Sequence, residues 1–175
     1  MLGSKEIKRR IQFDRLVWGF KDFGKQLQPN GFDLTVKEVH AFRNQECSII
    51  CVDSKRHAQI DPVEKKVIGF NGEIGWFLHP GIFVVIFNET VKIPNDLCAM
   101  TIQRSTLMRN GATTAVGFWD SGYQGQGQTL LTIGNTMRLE ENSRIVQMVF
   151  AEVDKDQILA LYNGSYQNER LNNPE

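Results

Sequence analysis

The sequence lacks an excess of charge of either sign, because its 20 lysine and arginine residues match its 20 aspartate and glutamate residues. A neutral chain creates no long-range field that would draw it to nucleic acid or to an acidic membrane. It also lacks an apolar run of membrane-spanning length, and Met1–Lys5 leads into charges rather than into the apolar core of a signal peptide. We therefore expect a soluble, cytoplasmic protein that binds neither nucleic acid nor membrane.

Cysteine is scarce, and an odd number of residues, Cys47, Cys51 and Cys98, argues against a disulfide framework. Cys47 and Cys51 would share one face of a strand with His57 nearby, but the sequence shows no fourth ligand for a zinc site. Free cysteines are usually part of the core. We therefore predict that all three are plain buried thiols.

Two glycine-rich nucleotide-binding motifs are missing, since neither GxxxxGK[ST] nor GxGxxG occurs. The first cradles the phosphates of a nucleoside triphosphate, and the second binds the pyrophosphate of a dinucleotide. The histidines, His40, His57 and His79, show no spacing that implies a metal set or a catalytic triad. These absences exclude a nucleotide-driven motor and a dinucleotide-dependent enzyme.

A short helix is predicted to open the chain. It runs from Lys5 to about Gln12, with Ser4 as its cap and with Ile7 and Ile11 on one face. Residues 13–30 place aromatic residues among glycines and are interpreted as an irregular arm that packs elsewhere, including on another subunit.

Short apolar stretches separated by turn residues make up the chain beyond Phe32. The dipeptide Asn71-Gly72 between two such stretches predicts a hairpin with a two-residue turn. Many short strands and one good helix indicate an all-β sandwich, jelly roll or barrel. The length fits a single domain, 1–175, with the helix and arm at 1–30 and a C-terminal tail at 162–175.

Residues that suit phosphate chemistry are concentrated between Gln103 and Gln128. Arg104 and Arg109 offer planar guanidinium forks, which match phosphate oxygens and never lose their charge. Asp120 lies on a glycine-rich corner, where a carboxylate can act as a base towards water. Taken singly, an aspartate such as Asp120 before Ser-Gly is more often a turn former than a catalyst, and each arginine is also explained as one half of a surface ion pair. Together they predict chemistry on a small anionic substrate.

The order of the motifs along the chain resembles the dUTPase and dCTP deaminase superfamily. The segments that carry the resemblance are GFDL at 31–34, RSTLMR at 104–109, GFWDSGYQG at 117–125 and RIVQ at 144–147. It implies a distorted, dUTPase-like β-barrel or jelly roll of the β-clip type. It also implies a homotrimer that binds dUTP and other deoxynucleotides at sites shared between subunits.

Thr132 distinguishes between two branches of this superfamily. The RSTLMR motif and the late YNGSYQ segment at 162–167 are similar to the dCTP deaminase branch, whose deaminases carry a proton-shuttling glutamate three residues before a strand-closing asparagine. Counting back from Asn135 gives Thr132, which cannot shuttle protons near neutral pH. If Gln126–Gln128 forms a bulge and shifts the register, Thr129 takes this place and is no acid either. The resemblance thus implies a deaminase scaffold that performs only dUTP pyrophosphohydrolysis.

The resemblance also implies roles for individual residues. Asp120 would deprotonate the water that attacks the α-phosphorus, and one Mg²⁺ would neutralise the leaving pyrophosphate, with Asp33 meeting the metal only through water. Tyr123 would stack under the deoxyribose. The other substrate-binding residues would be Arg104, Ser105, Thr106 and Arg109 for the phosphates, Val116, Gly117 and Phe118 for uracil, Gln147 for water or phosphate, and Tyr166 and Gln167 as a folding tail.

Three hypotheses remain open at this level. The first is the dUTP pyrophosphatase just described. The second is a dCTP deaminase or a bifunctional deaminase and dUTPase that uses another acid. The third is a trimeric nucleotide-binding protein without turnover. Family members often carry a lysine just before the tail tyrosine, where this chain has Ser165, so closure of the tail is also left open.

Overall fold

The computed structural model describes residues 1–43 and 48–171 of the chain. Its helices are α1 (Ser4–Asp14), α2 (Phe23–Gln26), α3 (Ser105–Arg109) and a 3-10 turn at Lys155–Gln157. Its strands in chain order are β1 (Val17–Trp18), β2 (Leu27–Gln28), β3 (Gly31–Phe42), β4 (Ile49–Ile50), β5 (Lys55–Arg56), β6 (Ile60–Pro62), β7 (Lys66–Val67), β8 (Ile74–Leu78), β9 (Gly81–Phe87), β10 (Thr90–Lys92), β11 (Leu97–Gln103), β12 (Ala112–Thr114), β13 (Gly117–Trp119), β14 (Gln124–Gly125), β15 (Gln128–Ile133), β16 (Met137–Glu140) and β17 (Arg144–Glu152).

The main sheet is antiparallel and runs in the order β12-β15-β9-β3-β17-β11-β13, with β2 and β6 also paired to β3. The long strand β3 joins its two halves, because Phe32–Thr35 pairs with β17 and Val36–Ala41 pairs with β9. Smaller sheets are formed by β1-β10-β14, by β16-β8-β7 and by the pair β4-β5. The sheet therefore brings β3, β17 and β11 side by side although they are far apart in sequence.

The core lies on the inner face of this sheet. Strands β11 and β15 show the alternation that one buried face requires, with every second side chain inside. The largest fully buried side chains are Ile7, Leu16, Phe32, Leu34, Trp76, Leu78, Phe87, Ile93, Leu97, Leu131, Ile145 and Phe150.

The N-terminal helix is confirmed, but its predicted cap is wrong. Ser4 is the first helical residue, and Gly3 occupies the N-cap position without a side-chain hydrogen bond. The backbone N–H of Ser4 instead donates to the carbonyl of Pro29 at 2.8 Å. The arm docks in its own chain, where Phe20 packs edge-on against Phe32 with ring centroids 5.7 Å apart.

The predicted hairpin exists, but its turn is longer than two residues. Strands β7 and β8 pair through Lys66 with Gly75 and Val67 with Ile74, which leaves residues 68–73 as the loop. The Glu73 carboxylate accepts hydrogen bonds from the backbone and side-chain nitrogens of Asn71, which stabilise this wider loop. A side-chain contact therefore overrides the local preference of Asn-Gly.

The prediction of three buried thiols is wrong for Cys51, which is exposed, and Cys98 is half-buried. Cys47 lies outside the described residues. Cys51 is exposed because it belongs to the hairpin β4-β5, whose strand residues are all exposed. Among residues 1–43 and 48–171, no helix is long and apolar enough to cross a membrane.

A buried carboxylate ties the arm to the sheet next to Asp33. Glu89 accepts hydrogen bonds from the backbone N–H and hydroxyl of Thr35, at 2.8 and 2.6 Å, and from the Gln26 amide at 2.7 Å. Burial raises the pKa of Glu89, and these donors partly oppose the increase. Gln26 in turn donates to the carbonyl of Asp33, so the network fixes the backbone that presents Asp33.

Candidate active site

The phosphate-binding motif predicted from RSTLMR begins where β11 ends. Arg104 has extended backbone angles, and its N–H donates to the carbonyl of Ile145 at 2.9 Å, which holds it against β17. Helix α3 then starts, anchored by the buried side chain of Leu107. The side chains of the other predicted phosphate ligands on this helix, Ser105, Thr106 and Arg109, are exposed. The motif therefore presents hydroxyls and a guanidinium to solvent from a fixed base.

Asp33 holds two arginines together. Its Oδ2 lies 3.0 Å from Nε of Arg104 and 3.2 Å from Nη1 of Arg144, and the carboxylate is only 1% exposed. Burial raises the pKa of Asp33, while the two guanidinium groups oppose the increase. The prediction that Asp33 meets a metal through water stays a prediction, and the structure adds that this carboxylate is committed to Arg104 and Arg144.

Arg144 belongs to the site, although the sequence analysis assigned it no role beyond its place in the RIVQ segment. It lines a cavity of about 840 Å³ together with Arg104, Thr106, Lys21 and Lys25. Its guanidinium also donates to the carbonyl of Lys25, which connects β17 to the arm. The available signal was its place in the Arg-Ile-Val-Gln segment, but its partner could not be known without the pairing of β3 with β17.

Gln147 lies beside Asp33 in the register of β17 and β3, and beside Ile102 in the register of β17 and β11. Its side chain packs over Gly31. A Cβ at Gly31 would stand 2.9 Å from Nε2 of Gln147 and 2.6 Å from the carbonyl of Met148, so only glycine fits without moving Gln147. This explains the glycine at position 31 as a packing requirement of the site.

Asp120 lies at the other end of the predicted site, just after β13. Its side chain is exposed and lines a pocket of about 230 Å³. The turn that follows needs Gly122, which has a φ of +89° and whose Cβ would collide with Leu161 at 2.7 Å. The remaining lining residues are Gly117, Phe118, Trp119, Tyr123, Gln128, Tyr162, Tyr166 and Glu169.

Tyr123 forms the inner wall of this pocket and is 6% exposed. Its hydroxyl donates to Oε1 of Glu169 at 2.8 Å, and its ring makes edge contacts with Trp119 and Tyr162 at centroid distances of 5.1 and 5.5 Å. Burial, reinforced by the negative charge of Glu169, raises the pKa of Tyr123 far above its usual range. The phenol therefore stays neutral, and its stacking under a sugar stays a prediction.

The C-terminal tail covers the loop that carries Asp120. The Gln167 side chain accepts from the backbone N–H of Gln124 and donates to the carbonyl of Gly122, both at 2.9 Å. The backbone N–H of Tyr162 donates to the carbonyl of Ser121 at 2.9 Å. Tyr166 and Gln167 thus lie at the Asp120 end of the site, and their closure over a bound nucleotide stays a prediction.

The two ends of the predicted site are not brought together within one chain. Trp119 pairs with Ala99. Arg104 lies five positions after Ala99, just past the end of β11, and Asp120 lies one position beyond Trp119 in the opposite direction. Six positions of strand correspond to about 20 Å at about 3.3 Å per residue. Consistent with this, Arg104 and Asp120 line different pockets.

Thr132 and Thr129 occupy opposite faces of β15. Thr132 is exposed and lies opposite Thr113 and Ile82, whereas Thr129 is buried and donates to the carbonyl of Ala115 at 3.0 Å. The extra residues Gln126–Gln128 carry the chain from β14 in one sheet to β15 in another. Gly127 is required there, since its Cβ would stand 1.9 Å from the Trp119 ring.

The comparisons with known proteins agree on a family. A family model described as dCTP deaminase-like matches residues 1–153. A probable deoxyuridine 5'-triphosphate nucleotidohydrolase of Methanococcoides burtonii is 36% identical over 175 residues, which span 98% of this chain and 99% of that protein. A protein of the same name from Archaeoglobus fulgidus is 31% identical over 173 residues, or 98% of each chain.

The fold has also been seen before. The crystal structure of 2'-deoxycytidine 5'-triphosphate deaminase from Agrobacterium tumefaciens superposes with a TM-score of 0.66 at 17% sequence identity. The match covers 87% of this chain and about half, 48%, of that chain. The predicted all-β, dUTPase-like fold with a short N-terminal helix is thereby confirmed.

Proposed function

The chain belongs to the dCTP deaminase-like family, and we propose that it is a dUTP pyrophosphatase that hydrolyses dUTP to dUMP and pyrophosphate with Mg²⁺. The relatives that match nearly its whole length carry the name of that activity. The contrast between two residues carries the proposal. Asp120 is an exposed carboxylate in a pocket, whereas the resemblance places Thr132, or Thr129 if the register is shifted, where a deaminase would carry a glutamate.

Asp120 acts as the general base in this proposal. Its exposed carboxylate can accept the proton of a water molecule in the pocket, and the new hydroxide attacks the α-phosphorus of the nucleotide. The backbone carbonyl of Asp120 accepts from the N–H of Tyr123 at 3.1 Å, which fixes the turn and leaves the side chain available. Tyr123 closes the inner side of the pocket.

The phosphates are bound by side chains of the RSTLMR segment at 104–109 and of β17. Arg104, fixed by Asp33, provides a guanidinium fork of constant charge, and Ser105, Thr106 and Arg109 extend from α3 towards solvent. Gln147 adds an amide beside them. Because Asp33 orients Arg104 before substrate arrives, the cost of ordering this side chain is not part of the binding step.

The donors of this chain fit a metal that arrives with the triphosphate rather than a resident metal. Among the residues that the structure describes, no group of three or more histidine, cysteine, aspartate or glutamate side chains could hold an ion. Mg²⁺ typically keeps several waters and binds through one or two carboxylates and the phosphates of the substrate. Bound in that way, the ion would neutralise charge on the leaving pyrophosphate, and Asp33 would contact it only through water.

The base is read by backbone groups of β13 in this proposal. Strand β13 is the last strand of the main sheet, so one edge of Gly117 and Phe118 faces away from β11, and Val116 directly precedes them. A sheet edge offers N–H and C=O groups that can hydrogen bond with a planar ligand such as uracil. Gly117 is held in place by hydrogen bonds with the Thr101 hydroxyl at 3.1 and 3.4 Å.

A homotrimer with shared sites accounts for the separation of Arg104 from Asp120. One substrate cannot contact two groups about 20 Å apart unless a second subunit supplies one of them. The outer face of β11 and β13 also carries an apolar patch suited to subunit contact. Its members and their exposed fractions are Met100 at 37%, Ile102 at 44%, Phe118 at 64% and Val116 at 65%.

A cytoplasmic location is part of the same proposal. Cys51 and Cys98 are free thiols, and free thiols persist in a reducing compartment. In this proposal the enzyme acts on deoxynucleoside triphosphates in the cytoplasm.

Incubation of the purified protein with dUTP and Mg²⁺ tests this function. We expect dUMP and pyrophosphate in equal amounts, and we expect a chelator to suppress the reaction because it removes the ion that neutralises the leaving group. The products are identified by chromatography and by a pyrophosphate assay. Release of orthophosphate, or binding of dUTP without any product, would contradict the proposal.

A further inference from the structure

The exposed hairpin β4-β5 touches the C-terminal tail through one lysine. Nζ of Lys55 donates to the hydroxyl of Ser165 at 2.8 Å and lies 4.7 Å from the ring centroid of Tyr166. The ring of His57, two residues later, lies 6.0 Å from the Tyr166 ring. The hairpin and the tail are 110 residues apart in sequence, so this contact is a product of the fold.

This contact lies at the rim of the pocket that contains Asp120. Tyr166 lines that pocket and is 43% exposed. The cation of Lys55 therefore stands beside an aromatic side chain that faces the pocket. Cation–π attraction places the ammonium group there at little cost.

Apolar packing does not explain why the hairpin reaches this position. Ile50 and Val52 are 93% and 99% exposed, so the hairpin contributes little to the core. Between Tyr162 and Gln167 the tail itself contains no lysine or arginine. Lys55 thus brings a cation to this part of the tail.

The ammonium group retains capacity for a ligand. An ammonium group has three N–H donors, and the Ser165 hydroxyl uses one of them. The remaining donors and the full positive charge suit the oxygens of a phosphate. The Ser165 hydroxyl and the Tyr166 ring hold the group in place.

We propose that Lys55 binds the pyrophosphate portion of the nucleotide at the rim of the Asp120 pocket. The proposal rests on the proposed function, since it places the leaving group of dUTP against Lys55. In this arrangement Ser165 and Tyr166 position the ammonium group, and the cation offsets the charge of the departing pyrophosphate. The hairpin β4-β5 and the tail then form one composite substrate-binding rim.

Lys55→Ala is expected to raise the KM for dUTP and to weaken the binding of pyrophosphate, each on the order of tenfold, because a charge-assisted hydrogen bond is lost. The affinity for dUMP, which lacks the pyrophosphate, is expected to stay unchanged. Lys55→Arg is expected to recover most of the loss because it keeps the charge. The measurements are steady-state kinetics with dUTP and calorimetric binding of pyrophosphate and of dUMP.

Lys66→Ala is the matched control, since Lys66 is an exposed lysine on β7 that lines none of the pockets described above. Equal losses for pyrophosphate and dUMP would show that Lys55 only docks the tail and would overturn the proposal. Unchanged pyrophosphate binding would overturn it as well. If the wild-type protein does not hydrolyse dUTP, the proposed function fails separately, and pyrophosphate binding still tests Lys55.

Discussion

Replacing Asp120 with asparagine is expected to lower the turnover of dUTP by about 10²–10⁴-fold, the usual contribution of a positioned general base. The amide has nearly the same shape as the carboxylate but cannot take a proton from water. Because the side chain is exposed and the turn is held by the backbone bond from Tyr123 to Asp120, the fold should not change. Initial rates with dUTP and a thermal unfolding curve measure the two effects.

Asp156→Asn is a suitable control for this experiment, because Asp156 is an exposed aspartate on the 3-10 turn, away from both pockets. The control variant should retain wild-type turnover. If Asp120→Asn kept more than about a tenth of the wild-type rate, its loss would be too small for a general base. Asp120 would then be a turn residue, and the catalytic assignment would be wrong.

Arg104→Ala is expected to weaken binding of the triphosphate by about 1.5–3 kcal/mol, the range for a hydrogen bond to a charged group. This corresponds to a loss of about 10- to 150-fold in affinity, and binding of deoxyuridine should change little. Arg104→Lys keeps the charge but loses the planar fork, so its affinity for the triphosphate should lie between those of the wild type and of Arg104→Ala. Asp33→Asn should act in the same direction, because it releases Arg104 from its fixed position.

Arg9→Ala provides the control for Arg104, since Arg9 is an exposed arginine that pairs with Glu6 on α1. Equal losses for deoxyuridine and for the triphosphate would mean that Arg104 is structural. Co-assembly of Arg104→Ala with Asp120→Asn protomers adds a test of the shared site. Mixed assemblies should regain part of the activity, whereas sites built within one chain would stay inactive.

Local sequence patterns predict much of the fold because they report on single elements. The predictions of the helix with Ile7 and Ile11 inside and of the β7-β8 hairpin are confirmed. Both depend on periodicity and turn residues, which act over a few positions. The details that fail depend on contacts made elsewhere. Ser4 is not the cap because the chain around Pro29 holds its N–H, and Asn71-Gly72 yields to the Glu73 carboxylate.

The site is less predictable than the fold because its parts come from distant segments. Asp33 lies 71 positions before Arg104 and 111 before Arg144, and only the pairing of β3, β17 and β11 brings them together. Hydropathy could not show that Asp33 is buried between two arginines. The contact of Lys55 with Ser165 likewise depends on where an exposed hairpin meets the tail.

The most direct test of the account is the identification of the products that the wild-type protein forms from dUTP and from dCTP in parallel with Mg²⁺. A deaminase needs a group that cycles between acid and base near neutral pH, and residues 124–139 contain no aspartate or glutamate. We expect dUMP and pyrophosphate from dUTP and no uracil nucleotide from dCTP. Conversion of dCTP to dUTP or dUMP by the wild-type protein would contradict this expectation.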